Sequence, residues 1–311
     1  MNNSAIFSHA KKGLFMKSVL ITGADGQLGT TLGKILPAAV LTAHADLDIT
    51  NKRAVDDFIY KYHIDTIVNC AAYTDVDGAE KPENKDKAFE INALGAENLA
   101  KTPCKLIHIS TDYVFDGQSS HGAYTTSNMP NPLSVYGKSK NWGEIAILGA
   151  SNNCVIIRTS WLYSPYGKNF VKTMRNLGEK LPEISVVNDQ YGLPTYAEDL
   201  AVAIVQIIPQ MKPENNGIYH FSNINPLAET PYQGISWYDF ATEIMKQSNI
   251  NCVVKPTTTA EYSAKMAAQN RTYAPRPKNS TLNSSKIQQK FGIQIPTWRI
   301  GLKRCLDEMQ R

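Results

Sequence analysis

The start of the chain carries the pattern that most restricts its fold, a short apolar segment that ends in a glycine-rich turn. Residues 18–22 form the apolar segment, and glycines follow at positions 23, 26 and 29. Apolar residues then recur at helical spacing until Pro37 stops the helix. Such a turn lets the backbone approach a pyrophosphate, which the helix N-terminus faces with its N–H groups. The sequence therefore predicts a dinucleotide site after the first strand.

Strands and helices alternate through the first half of the chain. Because helices of this length connect the strands, we expect right-handed crossovers and a parallel sheet covered on both faces. The predicted fold is α/β, a Rossmann-type doubly wound parallel sheet whose ligand lies at the carboxyl ends of the strands. The predicted strands cover residues 18–22, 40–43, 66–70, 106–110 and 154–158.

The alternation loosens after Trp161, where loops rich in Pro, Asn and Thr separate the helices predicted at 170–177, 196–211, 237–247 and 298–309. This change indicates a smaller C-terminal substrate-binding lobe. We predict a leader at residues 1–16, disordered or preceding a true start at Met16, and a dinucleotide-binding domain at 17–160. That domain also receives elements from about 190–222, and residues 161–311 form mainly the lobe.

Composition excludes several classes of protein. The 32 basic and 28 acidic residues are interspersed and give a net charge of +4, which argues against nucleic acid or an anionic membrane as partner. No apolar run approaches the roughly 20 residues of a membrane span. The five cysteines include no C-x-x-C pair, so neither a zinc site nor a disulfide framework is expected. A reducing cytoplasm suits this composition best.

A tyrosine and a lysine form the candidate catalytic pair. Tyr136 and Lys140 lie four residues apart in a predicted helix, so both face the same side. An ammonium beside a phenol favours the phenolate, and each unit of lowered pKa corresponds to about 1.4 kcal/mol. The pair is therefore predicted to act as a general acid for a ketone that becomes an alcohol.

Two further segments end strands at the same edge of the predicted sheet. Thr111 follows the fourth strand, where its hydroxyl can donate to a substrate carbonyl and stabilise developing charge. Residues 69–74 follow the third strand, and the small side chains of Ala71 and Ala72 leave room for a cofactor. A Tyr/Lys pair at this spacing is common by chance. Because the pair, these two segments and the glycine turn are all expected at one edge of the sheet, we predict a hydride-transfer site there.

Two aspartates follow the glycine turn at the distance where dinucleotide-binding proteins contact a ribose. Asp46 and Asp48 lie 17 and 19 residues after Gly29. Either is placed to meet the ribose or the adenine, and Asp46 is equally suited to begin a turn. Because no nearby arginine is placed to hold a 2′-phosphate, the choice between NADH and NADPH stays open.

These residues together resemble the extended short-chain dehydrogenases/reductases, and within them most closely the dTDP-4-dehydrorhamnose reductase family. The resemblance runs from about Lys17 to the C-terminus. The glycine turn and the Tyr/Lys pair are shared across the superfamily, whereas the Thr-Asp-Tyr-Val-Phe and Asp-Gln-x-Gly-x-Pro-Thr segments are more specific. The matching segments are residues 21–29, 46–50, 71–77, 110–117, 136–140, 158–161, 189–195 and 276–280.

The resemblance implies NAD(P)H-dependent reduction of the C4 ketone of dTDP-4-dehydro-6-deoxy-L-mannose to dTDP-L-rhamnose, with the proton from Tyr136. Thr111 and Tyr136 would hold the ketone oxygen, and Lys140 would also touch the nicotinamide ribose. The implied cofactor site is Gly23, Asp25, Gly26, Gln27, Leu28, Gly29, Asp48, Ile49, Ala71, Ala72, Thr74, Tyr136 and Lys140. The implied sugar-nucleotide site is Thr111, Val114, Phe115, Tyr136, Trp161 and Arg276, where Trp161 is alternatively a core aromatic and Arg276 alternatively stabilises the lobe.

The family also suggests a metal and an assembly. Some members form a magnesium-bridged dimer through glutamates, and Glu198 lies where one of those glutamates would be. The C-terminal partner glutamate has no match in this sequence. The resemblance therefore implies Mg²⁺ through Glu198 alone, and a monomer or a homodimer is the expected assembly.

Rival functions share parts of this site. Sugar-nucleotide dehydratases place a glutamate after the aspartate that follows the catalytic threonine, but Asp112 is followed here by Tyr113. An epimerase, or a reductase of another 4-keto deoxysugar, would use the same hydride step. A non-catalytic subunit like the regulatory subunit of methionine adenosyltransferase would retain the cofactor turn without turnover. Because Thr111, Tyr136 and Lys140 are all present, an enzyme is favoured.

Overall fold

The computed structural model describes residues 19–119, 122–226 and 232–310. Its centre is a six-stranded sheet in the order β10-β5-β4-β3-β1-β2, and every pair of neighbouring strands is parallel. The predicted α/β Rossmann fold is confirmed. The strands of this sheet are β1 (Val19–Thr22), β2 (Val40–Thr42), β3 (Thr66–Asn69), β4 (Lys105–Thr111), β5 (Cys154–Thr159) and β10 (Gly217–Phe221).

Helices cover both faces of the sheet. One face packs against the helices Gln27–Ile35, Ala197–Ile207 and Ser285–Phe291. The other face packs against Lys52–Tyr62, Ala96–Ala100 and Val135–Ala150. Because both faces are covered, all four residues of β1 and all six of β5 are buried.

The remaining elements form the second hydrophobic core of the molecule. Three two-stranded sheets belong to this part of the chain, and their pairs are β6–β9, β7–β12 and β8–β11. These strands are β6 (Leu162–Tyr163), β7 (Glu183–Val187), β8 (Tyr191–Gly192), β9 (Thr195–Tyr196), β11 (Ile235–Ser236) and β12 (Val253–Thr257). The helices are Phe170–Gly178, Trp237–Gln247, Thr259–Ala268 and Trp298–Met309, and short 3₁₀ turns occur at Gly78–Glu80, Asp112–Val114, Ile208–Gln210 and Pro213–Asn215.

Several predicted elements differ from the structure in extent. The helix predicted from Ala88 begins earlier, at Pro82–Phe89, and continues through a π-helical segment, Glu90–Gly95. Its first turns are charged and carry no apolar stripe, so periodicity alone could not reveal them. The helix predicted at 196–211 ends at Ile207, and Pro209 lies in the 3₁₀ turn that follows.

The Thr259–Ala268 and Ser285–Phe291 helices were not predicted, because both are short and the sequence around them is rich in polar residues. Nor was a boundary predicted for β10, which completes the sheet beside β5. The predicted leader at 1–16 lies outside the described residues, and the predicted domain boundaries stay a prediction. No helix in the described part of the chain is long and apolar enough to cross a membrane.

Candidate active site

A cavity of about 700 Å³ opens at the carboxyl ends of the parallel strands, where an α/β sheet is expected to bind its ligand. It brings together the glycine turn, the segments after β2 and β3, the end of β4 and the catalytic helix. The predicted residues in its wall are Gly23, Asp25, Gly26, Gln27, Leu28, Gly29, Asp48, Ile49, Ala71, Ala72, Thr74, Thr111, Tyr136, Lys140 and Trp161.

The glycine turn has the geometry that a close backbone approach requires. Gly23 has φ +64°, a left-handed conformation, and a Cβ there would lie 2.6 Å from the Ala71 nitrogen. Gly26 precedes the Gln27–Ile35 helix, whose N-terminus therefore faces the cavity. Asp48 lies in the cavity wall, where hydrogen bonds from Thr50 hold its pKa below the usual range. Asp46 instead accepts a hydrogen bond from the Ala43 nitrogen and closes a turn.

The three catalytic candidates Thr111, Tyr136 and Lys140 all line the same cavity. Ser134 caps the catalytic helix by accepting a hydrogen bond from the Gly137 nitrogen at 3.0 Å, so the helix begins just before Tyr136. Tyr136 interacts with the Thr111 hydroxyl. Thr111 ends β4, the neighbour of β5. Lys140 follows one turn later on the helix and is 2% exposed.

The pKa of Tyr136 differs from the sequence expectation. Burial of the phenol raises the pKa of Tyr136 to about 12, against the smaller lowering effect of the Thr111 hydroxyl. The Lys140 nitrogen donates to the Ile109 carbonyl at 2.6 Å and lies 3.2 Å from His108 Nε2. The net direction of the pKa shift is therefore opposite to the lowering expected from Lys140, because burial of the phenol dominates. Tyr136 holds its proton at neutral pH, which suits a group that donates one.

The π-helical segment positions a residue that the sequence analysis missed. Asn92 accepts a hydrogen bond from the Tyr73 nitrogen at 2.9 Å and donates to the Tyr73 carbonyl and to the Ser139 hydroxyl. It thereby ties the segment after β3 to the catalytic helix. Single π turns within helices often occur at functional sites. The charged sequence before Asn92 gave no signal of this turn.

Trp161 stands in the cavity wall with an unusual backbone. Its φ of +48° is rare for a bulky residue, and its ring stacks on Trp237 with centroids 3.5 Å apart. Gly192 lies against the ring, because a Cβ at that position would be 2.6 Å from Trp161 Cε2. The specific Asp-Gln-x-Gly-x-Pro-Thr segment therefore makes room for an aromatic wall of the site.

Replacing Gly192 with alanine is expected to displace Trp161 from Trp237 and to destabilise the protein by about 1–3 kcal/mol, as overpacking does. The measurement is urea unfolding together with near-ultraviolet circular dichroism, which reports the stacked rings. Gly149→Ala is the matched control, because a Cβ at Gly149 meets no atom within 4 Å. An unchanged dichroism spectrum and midpoint in Gly192→Ala would contradict this role.

Three predicted sugar-site residues lie away from the cavity wall. Val114 and Phe115 are buried in a separate cluster, where the Phe115 ring stacks on Tyr124 with centroids 4.1 Å apart. Arg276 pairs with Asp77 at 2.9 Å and covers the Tyr273 ring. The structure thus does not bring these three side chains to the cavity, and their binding roles stay predictions. Arg276 here ties the C-terminal part of the chain to the segment after β3.

The predicted metal residue has a protein partner. Glu198 pairs with Arg304 at 2.7 Å, and Arg304 also pairs with Asp199. Within the described ranges, no group of three or more His, Cys, Asp or Glu side chains is placed to hold a metal ion. The Glu198 carboxylate is thus held by an arginine of the same chain, and its role as a magnesium ligand stays a prediction.

Polar residues from both parts of the chain complete the cavity, and only some were anticipated. Gln27 Oε1 accepts hydrogen bonds from Ser164 and Asn169, which fixes the segment carrying Gly167 and Lys168 at the cavity wall. Other lining residues, which the predicted cofactor and sugar-nucleotide sites did not include, are Ala43, His44, Leu47, Cys70, Val76, Ile91, Ile109, Ser110, Asp112, Tyr113, Thr159, Ser160 and Leu162.

The parallel sheet, the glycine turn and the Thr111/Tyr136/Lys140 set define a protein of the short-chain dehydrogenase/reductase class. Within this class, a sequence model described as the RmlD substrate binding domain matches residues 16–311. The chain belongs to this dTDP-4-dehydrorhamnose reductase family.

Individual relatives cover almost the whole chain. The dTDP-4-dehydrorhamnose reductase of Aggregatibacter actinomycetemcomitans is 40% identical over 306 residues, which cover 93% of this chain and 98% of the relative. The spore coat polysaccharide biosynthesis protein SpsK of Bacillus subtilis is 39% identical, with 94% and 98% covered. The crystal structure of dTDP-4-dehydrorhamnose reductase from Bacillus anthracis in complex with NADP matches with a TM-score of 0.83 and 40% identity, covering 93% of this chain and 98% of that chain.

Proposed function

We propose that this chain reduces the C4 ketone of dTDP-4-dehydro-6-deoxy-L-mannose (dTDP-4-dehydrorhamnose) to give dTDP-L-rhamnose, with NADPH or NADH as the reductant. The observation that carries the proposal is the convergence of Thr111, Tyr136 and Lys140 on the cavity that begins at the glycine turn. The names of the relatives support the choice of substrate. The proposed setting is the cytoplasm, with the chain acting as a monomer or a homodimer.

The residues of the cavity fit a nicotinamide dinucleotide. The missing side chain at Gly23 lets the turn pack directly on the Ala71 backbone, and the following helix offers its N-terminal N–H groups to a pyrophosphate. The small side chains of Ala71 and Ala72 leave space in the cavity between this turn and the catalytic residues. When bound, the reduced cofactor supplies the hydride. The NADP complex of the Bacillus anthracis relative supports NADPH, whereas Asp48 in the cavity wall suits the free 2′-hydroxyl of NADH.

The side chains of this protein supply the proton and the orientation. Thr111 donates its hydroxyl hydrogen to the ketone oxygen and stabilises the negative charge that develops there. Tyr136, which is protonated at neutral pH, transfers its proton to that oxygen as the alcohol forms. Lys140 stabilises the resulting phenolate from one helical turn away. Trp161 and Trp237 form an apolar wall that excludes water from one side of the site.

The described residues of the site do not favour the alternative functions. Tyr113 occupies the position where a dehydratase needs its glutamate, and its ring lies edge-on to Tyr136 with centroids 5.7 Å apart. An epimerase would return the hydride and leave no net cofactor oxidation. A binding subunit would consume no cofactor. Net oxidation of the cofactor with substrate therefore distinguishes the proposal from both of these rivals.

The test supplies dTDP-6-deoxy-L-lyxo-4-hexulose with NADPH, or separately with NADH, and follows the nicotinamide absorbance. We expect one cofactor oxidised for each sugar reduced, and no oxidation without the sugar. A 4-keto deoxysugar of different stereochemistry serves as the specificity control. If the wild-type protein consumes neither cofactor with this sugar, the proposed function is wrong.

A further inference from the structure

A chain of four buried polar side chains runs beneath the cavity from the glycine turn to the catalytic lysine. The Thr22 hydroxyl donates to Asn69 Oδ1 at 2.7 Å, and Asn69 Nδ2 lies 2.9 Å from His108 Nδ1. His108 Nε2 lies 3.2 Å from the Lys140 nitrogen. All four residues are at most 2% exposed. Thr22, Asn69 and His108 come from three neighbouring strands, β1, β3 and β4.

The hydrogen bonds of Asn69 determine which ring nitrogen of His108 carries the proton. Asn69 Oδ1 accepts from the Ala71 backbone N–H at 3.1 Å as well as from Thr22, so the amide nitrogen of Asn69 faces His108. Since an amide nitrogen only donates, His108 Nδ1 accepts. Burial and the proximity of Lys140 hold the pKa of His108 well below its usual range, so the ring is neutral. Its single hydrogen is therefore on Nε2, facing Lys140.

This tautomer restricts the state of Lys140. An ammonium group has three hydrogens and no lone pair, so it cannot accept a hydrogen bond from His108 Nε2–H. A neutral amine accepts this hydrogen bond through its lone pair and still donates to the Ile109 carbonyl, which lies 2.6 Å away. Only the neutral amine thus satisfies both of these contacts, so the hydrogen on His108 Nε2 disfavours the ammonium form of Lys140.

We propose that His108 is a positioning residue that lowers the proton affinity of Lys140 beside Tyr136 in the cofactor-free protein; its catalytic consequence rests on the proposed function. Burial lowers the pKa of Lys140 to about 8, in the same direction. Glu144 and Cys70 also face Lys140 and favour its charged form. Their influence is limited, because Glu144 is bound by Arg158 and burial raises the pKa of the Cys70 thiol to about 12.

The arrangement makes Lys140 a proton donor that can regain its proton near neutral pH. After Tyr136 has protonated the ketone oxygen, the Lys140 ammonium gives one proton to the phenolate and becomes the amine. The amine then accepts the His108 Nε2–H hydrogen bond and later takes a proton from water. His108 gains and loses no proton in this cycle. It lowers the proton affinity of Lys140, so the alkaline limb of the kcat/KM profile reports its effect.

The test is nitrogen NMR of the cofactor-free full chain, labelled at histidine and lysine. We expect His108 to be protonated at Nε2 and Lys140 to titrate near pH 8. In His108→Gln, the amide can turn its carbonyl oxygen toward the ammonium, so we expect the Lys140 titration to move up by about one unit, a tenfold change in proton affinity. The alkaline limb of kcat/KM should move by the same amount.

His220→Gln is the matched control, because His220 is equally buried but contacts the Tyr124 carbonyl, and it should leave the Lys140 titration unchanged. A His108 ring protonated at Nδ1, or the same Lys140 titration in wild type and His108→Gln, would overturn the proposal. If His108→Gln does not fold, the wild-type tautomer still decides. The NMR spectra do not require turnover, so this test of His108 remains valid even if the reductase assay fails.

Discussion

Replacing Tyr136 with phenylalanine is expected to lower kcat by about 10²–10⁴-fold, because the site then has no positioned group to protonate the ketone oxygen. Phenylalanine retains the ring, so cofactor binding should change little. The measurements are kcat with saturating dTDP-6-deoxy-L-lyxo-4-hexulose and the dissociation constant of NADPH from nicotinamide fluorescence. The pKa of about 12 for Tyr136 means that the proton is present throughout the neutral range.

Tyr163→Phe is the matched control for the loss of a tyrosine hydroxyl. Tyr163 is fully buried in the second hydrophobic core, and its hydroxyl has no hydrogen-bond partner within the described residues. We expect this variant to keep kcat within about twofold. Full activity of Tyr136→Phe would show that another group is the acid, even if the reduction itself occurs.

Replacing Arg158 with leucine is expected to destabilise the protein by about 3–5 kcal/mol, because the Glu144 carboxylate would be left buried without its charged partner. The two side chains are 1% and 2% exposed; Arg158 Nε donates to both carboxylate oxygens of Glu144, and Nη2 donates to Oε2. Glu144 also accepts a hydrogen bond from Ser110, beside the catalytic Thr111. The measurement is the free energy of unfolding from urea titration at neutral pH.

The double variant Glu144→Met/Arg158→Met is the control for this pair. Replacing both charges with apolar side chains removes the burial of an unpaired carboxylate, so most of the lost stability should return. Arg53→Leu tests the loss of an exposed ion pair, since Arg53 and its partner Asp57 are 93% and 75% exposed, and it should cost less than about 1 kcal/mol. An equally small cost for Arg158→Leu would contradict a structural role for the buried pair.

The elements of the fold that could be predicted from the sequence are those that depend on local residue patterns. The apolar strands, the helical stripes and the glycine turn each depend on residues close together in the chain. The carboxyl ends of parallel strands meet at one edge, which is why Thr111 and Ala71 could be placed in the same site from topology alone. The Tyr136/Lys140 spacing became informative only in that context.

The residues that the sequence analysis missed act through contacts between distant segments. His108 reads as one polar residue within an apolar strand, and only the structure shows that it joins Asn69 to Lys140. Trp161 and Trp237 are far apart in sequence, yet their rings stack. Similarly, periodicity could not reveal that Phe115 packs on Tyr124 instead of lining the cavity.

The most direct test of the central claim follows the hydride itself. The wild-type protein is incubated with NADPH that carries deuterium at C4 of the nicotinamide, together with dTDP-6-deoxy-L-lyxo-4-hexulose, and the sugar product is examined by NMR. We predict one deuterium at C4 of a dTDP-L-rhamnose product, with one cofactor oxidised for each sugar. Oxidation without deuterium in the sugar, or a sugar left unreduced, would contradict the assignment of this site as a ketone-reducing hydride-transfer centre.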